Sequence, residues 1–208
     1  MFPPQKKDKK RYIAKVVLLG DGAVGKTALV TRFVKQSFGG MYKATMGLDL
    51  SLKELYFDEL EATVGLQLWD MGGQLGFKML RSRFYTGTQG AILVFDLTRP
   101  QSLKNLLEWD KELKTHVPQK IPYIILGNKS DLSELKLIPA EEEKTTIEKL
   151  KPMKHYRTSA KTGENVEEAF RLLAKVILKK NIDVKKEQKT EKSIEENFPL
   201  QPPELHFP

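Results

Sequence analysis

The segment that most constrains the fold is GDGAVGKT, residues 20–27, which directly follows the apolar run YIAKVVLL. It fits the pattern G-x-x-x-x-G-K-[ST] through Gly20, Gly25, Lys26 and Thr27. Between a strand and a helix, such glycines let backbone N–H groups converge on phosphate oxygens, and the helix N-terminus attracts the same anion. Lys26 can reach β- and γ-phosphates, and the Thr27 hydroxyl can ligate magnesium. The sequence therefore predicts a phosphate-binding loop whose contacts are Gly20, Asp21, Gly22, Ala23, Val24, Gly25, Lys26, Thr27 and Ala28.

Apolar runs of strand length alternate with helical patterns along the chain. The predicted strands are YIAKVVLLG, ATVGLQLWD, GAILVFDL and PYIILGNK. Apolar residues spaced three or four apart predict helices over residues 26–36, 102–116 and 166–180. This alternation is typical of an α/β fold with a mainly parallel sheet and helices on both faces. Two strand-like runs that flank FDEL, within residues 50–69, predict a hairpin that adds one antiparallel edge strand.

Length and charge indicate one domain with two tails. A chain of 208 residues is long enough for one α/β domain, which we predict over residues 11–181. Residues 1–10 predict a disordered basic arm, and residues 182–208, rich in charge and proline, predict a disordered tail. The arm permits weak contact with an anionic membrane. Because no aromatic residues alternate with its cations, we expect no nucleic-acid partner.

The absence of cysteine excludes several classes of chemistry. Without a thiol, the chain has no disulfides, thiolate metal sites, cysteine catalysis or thioether lipid anchors. The longest apolar run is far shorter than the ~18 residues that a membrane span needs. No secretory signal is visible, and Phe2 stands where N-myristoylation requires glycine. These features predict a cytoplasmic protein with no lipid anchor.

A second motif, NKSD, follows the apolar run PYIILG. The Asp131 carboxylate can accept hydrogen bonds from the ring N–H and the exocyclic amine of guanine, whereas adenine offers neither donor and would leave the acceptor unpaired. Lys129 can lie over the nucleotide, and Asn128 can brace the loop. The later segment TSAK adds candidate base contacts, with the N–H of its alanine facing the guanine carbonyl: Ser159, Ala160 and Lys161.

Together these motifs resemble those of a small GTPase of the Ras superfamily, over residues 12–180. The segments TMGLDL, LQLWDMGGQ and RFYTG are closest in pattern to the Rab branch, although Leu50 replaces a usual aromatic residue. The resemblance implies a P-loop NTPase fold, the small G domain, with a six-stranded sheet. It also implies that Thr45 is a magnesium ligand, that Tyr42 covers the phosphates, and that Phe38 packs against guanine.

The same resemblance gives a role to WDMGGQ. Asp70 holds magnesium through water, the Gly73 N–H binds the γ-phosphate, and Gln74 orients the attacking water. The implied catalytic residues are thus Gln74, Lys26 and Gly73, and the implied magnesium ligands are Thr27, Thr45 and Asp70. Residues 38–47 and 71–86 are expected to be ordered with GTP and looser with GDP.

The resemblance implies a monomeric switch that binds GTP or GDP with Mg²⁺ and hydrolyses GTP slowly. An activating protein, an exchange factor and effectors would bind residues 38–50 and 71–86. Leu75 replaces the acid that usually follows the Gln, which puts the family's usual exchange mechanism in doubt, and the C-terminal prenylation cysteines are missing. The alternative is a GTP-binding scaffold with little hydrolysis. An ATP-using P-loop kinase is disfavoured because NKSD would have no role in it.

Overall fold

The computed structural model describes residues 10–37, 47–72, 82–135 and 137–197. Its sheet has six strands in the order β2-β3-β1-β4-β5-β6. Every pairing is parallel except that of β2 with β3. The strands are β1 (Lys10–Leu19), β2 (Leu48–Phe57), β3 (Ala62–Met71), β4 (Gly90–Asp96), β5 (Tyr123–Asn128) and β6 (Lys154–Thr158). The predicted fold class, with its one antiparallel edge strand, is therefore confirmed.

The β2–β3 hairpin occupies the position that the sequence predicted. Its register runs from Phe57 opposite Ala62 at the turn to Leu48 opposite Met71 at the open end. A single 3-10 turn, Asp58–Leu60, connects the strands. The hairpin brings the end of β3 into the sheet interior, next to β1.

Helices cover both faces of the sheet. They are α1 (Lys26–Lys35), α2 (Pro100–Lys104), α3 (Leu106–His116), α4 (Ala140–Leu150) and α5 (Val166–Asn197). The helix predicted over residues 102–116 is two segments that meet at Asn105. The sequence analysis missed α4, whose charged sequence AEEEKTTIEKL buries few of its side chains. Two further 3-10 segments, Ser82–Phe84 and Ser130–Leu135, lie in the connections.

Two apolar cores hold the helices against the sheet. On one face α1 and α5 meet, and the rings of Phe33 and Phe170 stack with centroids 4.4 Å apart. On the other face α3 packs Trp109 and Leu113 near Phe95 of β4. β4 is buried along its whole length, as expected for a parallel strand that is covered on both sides. This packing fixes the carboxyl ends of the strands, where the sequence motifs lie.

Helix α5 continues to Asn197, so the predicted disordered tail is wrong for residues 182–197. This stretch contains no glycine or proline, and the first proline of the tail is Pro199. The Lys185 ammonium lies 4.4 Å from the centroid of the Tyr12 ring, an attractive cation–π contact. Among the helices that the structure describes, none is both long and apolar enough to cross a bilayer.

Candidate functional site

The predicted motifs converge at one edge of the sheet. The GDGAVGKT loop follows β1, NKSD follows β5 and TSAK follows β6. The β1–β3 register sets Leu18 beside Asp70, so the carboxylate one residue before the end of β3 lies close to the first loop. Carboxyl ends of parallel strands share an edge, and ligands of open α/β sheets bind outside that edge.

Glycine is required at two positions of the first loop. Gly20 has φ 141°, and a Cβ there would lie 2.2 Å from the Val94 carbonyl oxygen. Gly25, at the N-terminus of α1, has φ 99°, and its Cβ would lie 2.2 Å from Asn128 Nδ2. A side chain at either position would both strain the backbone and overlap a neighbour. The loop is therefore packed closely between β4 and the NKSD segment.

Lys26 folds back over the loop that precedes it. Its Nζ donates to the carbonyl oxygens of Gly20, at 2.8 Å, and Asp21, at 2.9 Å. The side chain is only 6% exposed. A buried ammonium requires hydrogen-bond acceptors or anions around it. The position of Lys26 thus suits a cation that binds phosphate oxygens at the mouth of the loop.

Two residues from distant segments hold further carbonyls of this loop. A terminal guanidinium nitrogen of Arg99 donates to the Gly22 oxygen at 2.7 Å, and Asn128 Nδ2 donates to the Val24 oxygen at 2.9 Å. In a trans peptide the C=O and the following N–H point in opposite directions, and the described residues contain no cis bond. The N–H groups that follow these carbonyls therefore point away from the donors. A concave row of N–H groups of this kind binds anions, so the loop fits a polyphosphate.

Thr27 and Asp70 form the oxygen-rich part of the site. The Thr27 hydroxyl donates to Asp70 Oδ2, and the Asp70 carboxylate is buried, 1% exposed. Magnesium prefers oxygen ligands and usually keeps several waters while it binds one or two protein groups and phosphates. Within the described residues no cluster of three or more His, Cys, Asp or Glu side chains forms a protein-only cage. The hydroxyl and carboxylate pair therefore fits a magnesium ion bound together with phosphate.

Asn128 connects the phosphate loop to the segments that follow β5 and β6. Its amide nitrogen binds the Val24 carbonyl, while its Oδ1 accepts from the Ala160 N–H at 3.3 Å and from the Thr158 hydroxyl at 3.4 Å. The side chain is 2% exposed. The Ala160 N–H, expected at the guanine carbonyl, thus contacts Asn128 here. The buried Asn128 amide therefore connects the phosphate loop, the NKSD segment and the TSAK segment by hydrogen bonds.

Asp131 lies at the rim, where a base can reach it. The residue is exposed, and its Oδ1 accepts from the Ser159 hydroxyl at 2.6 Å. Ser159 Oγ in turn accepts from the Thr162 N–H at 3.0 Å. These bonds fix the direction of the carboxylate, and its Oδ2 has no hydrogen-bond partner in the described part of the chain. The arrangement presents an acceptor to a base with adjacent N–H donors.

The sequence model of the Ras family matches residues 15–179 of the chain. The chain belongs to the Ras family. It is 38% identical over 175 residues to the Ras-related protein RGP1 of rice, which covers 82% of this chain and 76% of the rice protein. It is 37% identical over 171 residues to Ras-related protein Rab7 of Drosophila melanogaster, covering 80% and 81% of the two chains. The Ypt/Rab-type GTPase YPT7 of Saccharomyces cerevisiae is 38% identical over 178 residues, covering 83% and 85%.

These relatives identify the chain as a small GTPase of the Rab branch, which confirms the resemblance. Members of this family are GTP-binding switches, and they typically use Mg²⁺. The loop of residues 20–28, the Thr27–Asp70 pair and the exposed Asp131 lie at the same edge of the sheet.

Several predicted residues of this small GTPase lie outside the described residues. They belong to the segments 38–46 and 73–81, and they are Phe38, Tyr42, Thr45, Gly73 and Gln74. Their assigned roles remain predictions. The described part of the candidate site comprises residues 20–28, Asp70 and the NKSD and TSAK segments.

Asp96, at the end of β4, is a residue next to the site that the sequence analysis missed. The predicted residue Lys129 has φ 70°, and its Nζ binds Asp96 Oδ2 at 2.6 Å. Burial raises the pKa of Asp96, but hydrogen bonds from Lys129 and Thr98 outweigh it and hold the pKa below its ordinary value. Asp96 therefore stays ionised, and its ion pair with Lys129 anchors the start of the NKSD segment. In the sequence, Asp96 is recognisable as an acidic residue that directly follows the apolar run AILVF.

Arg32 of α1 is a second missed residue. Its Nε donates to the Ala160 carbonyl at 2.7 Å, and a terminal nitrogen donates to the Lys161 carbonyl. The helix that begins at the phosphate loop thereby also holds the TSAK segment. A cation within an amphipathic helix carries no local sequence signal for such a contact, because the partner carbonyls lie 128 and 129 residues away.

Proposed function

We propose that this protein binds GTP and GDP with Mg²⁺ at the described site and hydrolyses GTP to GDP and phosphate, cycling between two conformations. The observation that carries this proposal is the position of Asn128, which links the phosphate loop to both base-facing segments. A nucleotide with its phosphates on residues 20–28 and its base at Asp131 would contact all three. The family's GTP-binding members support the same function.

The described residues suit distinct tasks in that function. The loop N–H groups and Lys26 would bind the phosphates and offset the charge that develops on them during transfer. Thr27 and Asp70 would hold the magnesium ion, which supplies further positive charge at the phosphates when bound. Asp131 would select guanine through its free acceptor. We also propose Ser159, Ala160 and Lys161 as the segment that lies against the base.

The remaining roles rest on the family pattern. Gln74 would orient the water that attacks the γ-phosphate, and Gly73 and Thr45 would contact that phosphate and the metal. Phe38 and Tyr42 would enclose the nucleotide. Intrinsic hydrolysis would be slow, because catalysis in this class depends on positioning and on an arginine that a partner donates. Residues 38–50 and 71–86 would bind such an activating protein, an exchange factor and effectors.

Single-turnover hydrolysis tests this proposal. Purified protein is loaded with GTP or with ATP, with and without Mg²⁺, and phosphate release is followed beside Gln74→Leu. We expect slow, magnesium-dependent release from GTP alone and at least tenfold slower release in the variant, since water positioning is lost. Tight GTP binding without release would favour a non-hydrolysing scaffold. Release from ATP at a comparable rate would contradict the role of Asp131.

A further inference from the structure

Asp21, within the phosphate loop, directs its carboxylate toward α3. Its Oδ2 accepts from Asn105 Nδ2 at 2.8 Å, and its Oδ1 accepts from Trp109 Nε1 at 2.9 Å. Both donors are neutral and the acceptor is charged, so each bond is of the stronger, charge-assisted kind. Asp21 therefore connects the phosphate loop, which carries nine of the predicted nucleotide contacts, to a helix that carries none of them.

The two donors are themselves held in place. Gln101 Nε2 donates to Asn105 Oδ1 at 2.8 Å, which orients the amide so that its NH₂ group faces Asp21. Trp109 is 8% exposed and packs in the core between α3 and the sheet, so its indole has little freedom to turn away. The pair presents two fixed donors at the junction of α2 and α3. A preorganised donor pair restrains its acceptor more than mobile side chains would.

The same aspartate is restrained through its main chain. Lys26 Nζ donates to the Asp21 carbonyl, while the next carbonyl, that of Gly22, is bound by Arg99 from the start of α2. The side chain and the backbone carbonyl of Asp21 are thus held by separate donors. The negative charge of Asp21 also lies near the predicted phosphates, where it repels them unless its donors keep it turned away. Loss of the donors would loosen the loop and free this charge.

We propose that Asn105 and Trp109 are positioning residues that slow nucleotide dissociation by holding the carboxylate of Asp21 away from the phosphates. They act through Asp21 and touch no nucleotide themselves. This inference rests on the proposed function, because it requires a nucleotide bound at residues 20–28. It adds that the retention time of the nucleotide is set partly from α3, outside the phosphate and base loops.

Dissociation of a fluorescent GDP analogue in excess unlabelled GDP tests the proposal. Asn105→Ala and Trp109→Phe each remove one donor, and each is expected to speed release about tenfold, the size of one charge-assisted hydrogen bond. Lys111→Ala, an exposed position of α3, serves as the matched control and should release at the wild-type rate. Release rates of both donor variants within twofold of wild type would overturn the proposal.

A double-mutant comparison separates this role from general destabilisation. In an Asp21→Ala background, Asn105→Ala should produce no further acceleration, because the acceptor is already gone. If Asn105→Ala speeds release by the same factor in the Asp21→Ala background as in wild type, Asn105 acts by another route and the proposal is overturned.

The indole N–H signals give a direct readout. The chain contains Trp69 and Trp109, so two indole resonances are expected, and Trp109→Phe identifies one of them. That resonance should shift upfield in Asp21→Ala, and an unchanged position would contradict the hydrogen bond. If the wild-type protein fails to retain labelled GDP in the presence of Mg²⁺, the proposed function itself fails. If wild type retains labelled GDP and both donor variants release it at the wild-type rate, only the proposed role of Asn105 and Trp109 is refuted.

Discussion

Replacing Asp131 by asparagine tests the base specificity most sharply. The new side chain keeps an oxygen that can accept from Ser159, whose hydroxyl now bonds the Asp131 carboxylate at 2.6 Å, so the rim geometry should persist. The free acceptor becomes an amide N–H₂ donor. Guanine would then lose one or two hydrogen bonds to a charged group, each contributing about 1.5–3 kcal/mol. At about 1.4 kcal/mol per tenfold, GDP affinity should fall roughly 10- to 10⁴-fold.

Xanthine provides the matching ligand for this variant. Its carbonyl at the position of the guanine amine can accept from the new N–H₂ group, so Asp131→Asn should bind xanthosine diphosphate more tightly than GDP. Competition of each diphosphate against a fluorescent GDP analogue, on wild type and on the variant, measures whether the preference changes from GDP to xanthosine diphosphate. A loss of GDP affinity below tenfold, or an equal loss for both ligands, would refute the assignment of Asp131 to the base.

Two further predictions concern stability with GDP bound. Gly25→Ala should lower the free energy of unfolding in urea by about 3 kcal/mol, because its Cβ would overlap Asn128 and its φ is positive. Gly22→Ala, with no atom within 4 Å of its Cβ, should change it by less than about 0.5 kcal/mol, and equal losses would contradict the packing. Because the fold lowers the pKa of Asp96 from 3.8, its stabilisation is complete above that pH and disappears as the pH falls through the folded pKa. Wild type should therefore lose stability below about pH 4 more steeply than Asp96→Asn, and parallel curves would refute the pairing with Lys129.

The sequence predicted the elements that local patterns encode. Gly20 and Gly25 belong to a short motif whose strand–loop–helix setting is visible in the sequence around it, and the β2–β3 hairpin is signalled by two runs that flank FDEL. α4 escaped prediction because a helix with acidic residues on most faces lacks an apolar stripe, and its Glu143 is buried against Arg157. Periodicity detects apolar burial and not burial of an ion pair.

Contacts between distant segments could not be predicted from the sequence. Asn105 and Trp109 meet Asp21 across 84 and 88 residues, and Arg99 meets Gly22 across 77. Such pairs depend on the order of strands in the sheet and on the angle at which α3 packs. The chain order of motifs says which segments share an edge, because parallel strands align their carboxyl ends, but it does not say which side chains touch.

Helix α5 extends beyond the sheet that it covers. Its 32 residues span about 48 Å, whereas the ten-residue β1 spans about 33 Å, so the helix is longer than the sheet it covers. The Lys185 ammonium still contacts the Tyr12 ring, near the first residue of β1. From there the helix continues to Asn197, a further rise of about 18 Å. The direction of this last part is set by the packing of the preceding part of the helix against the sheet.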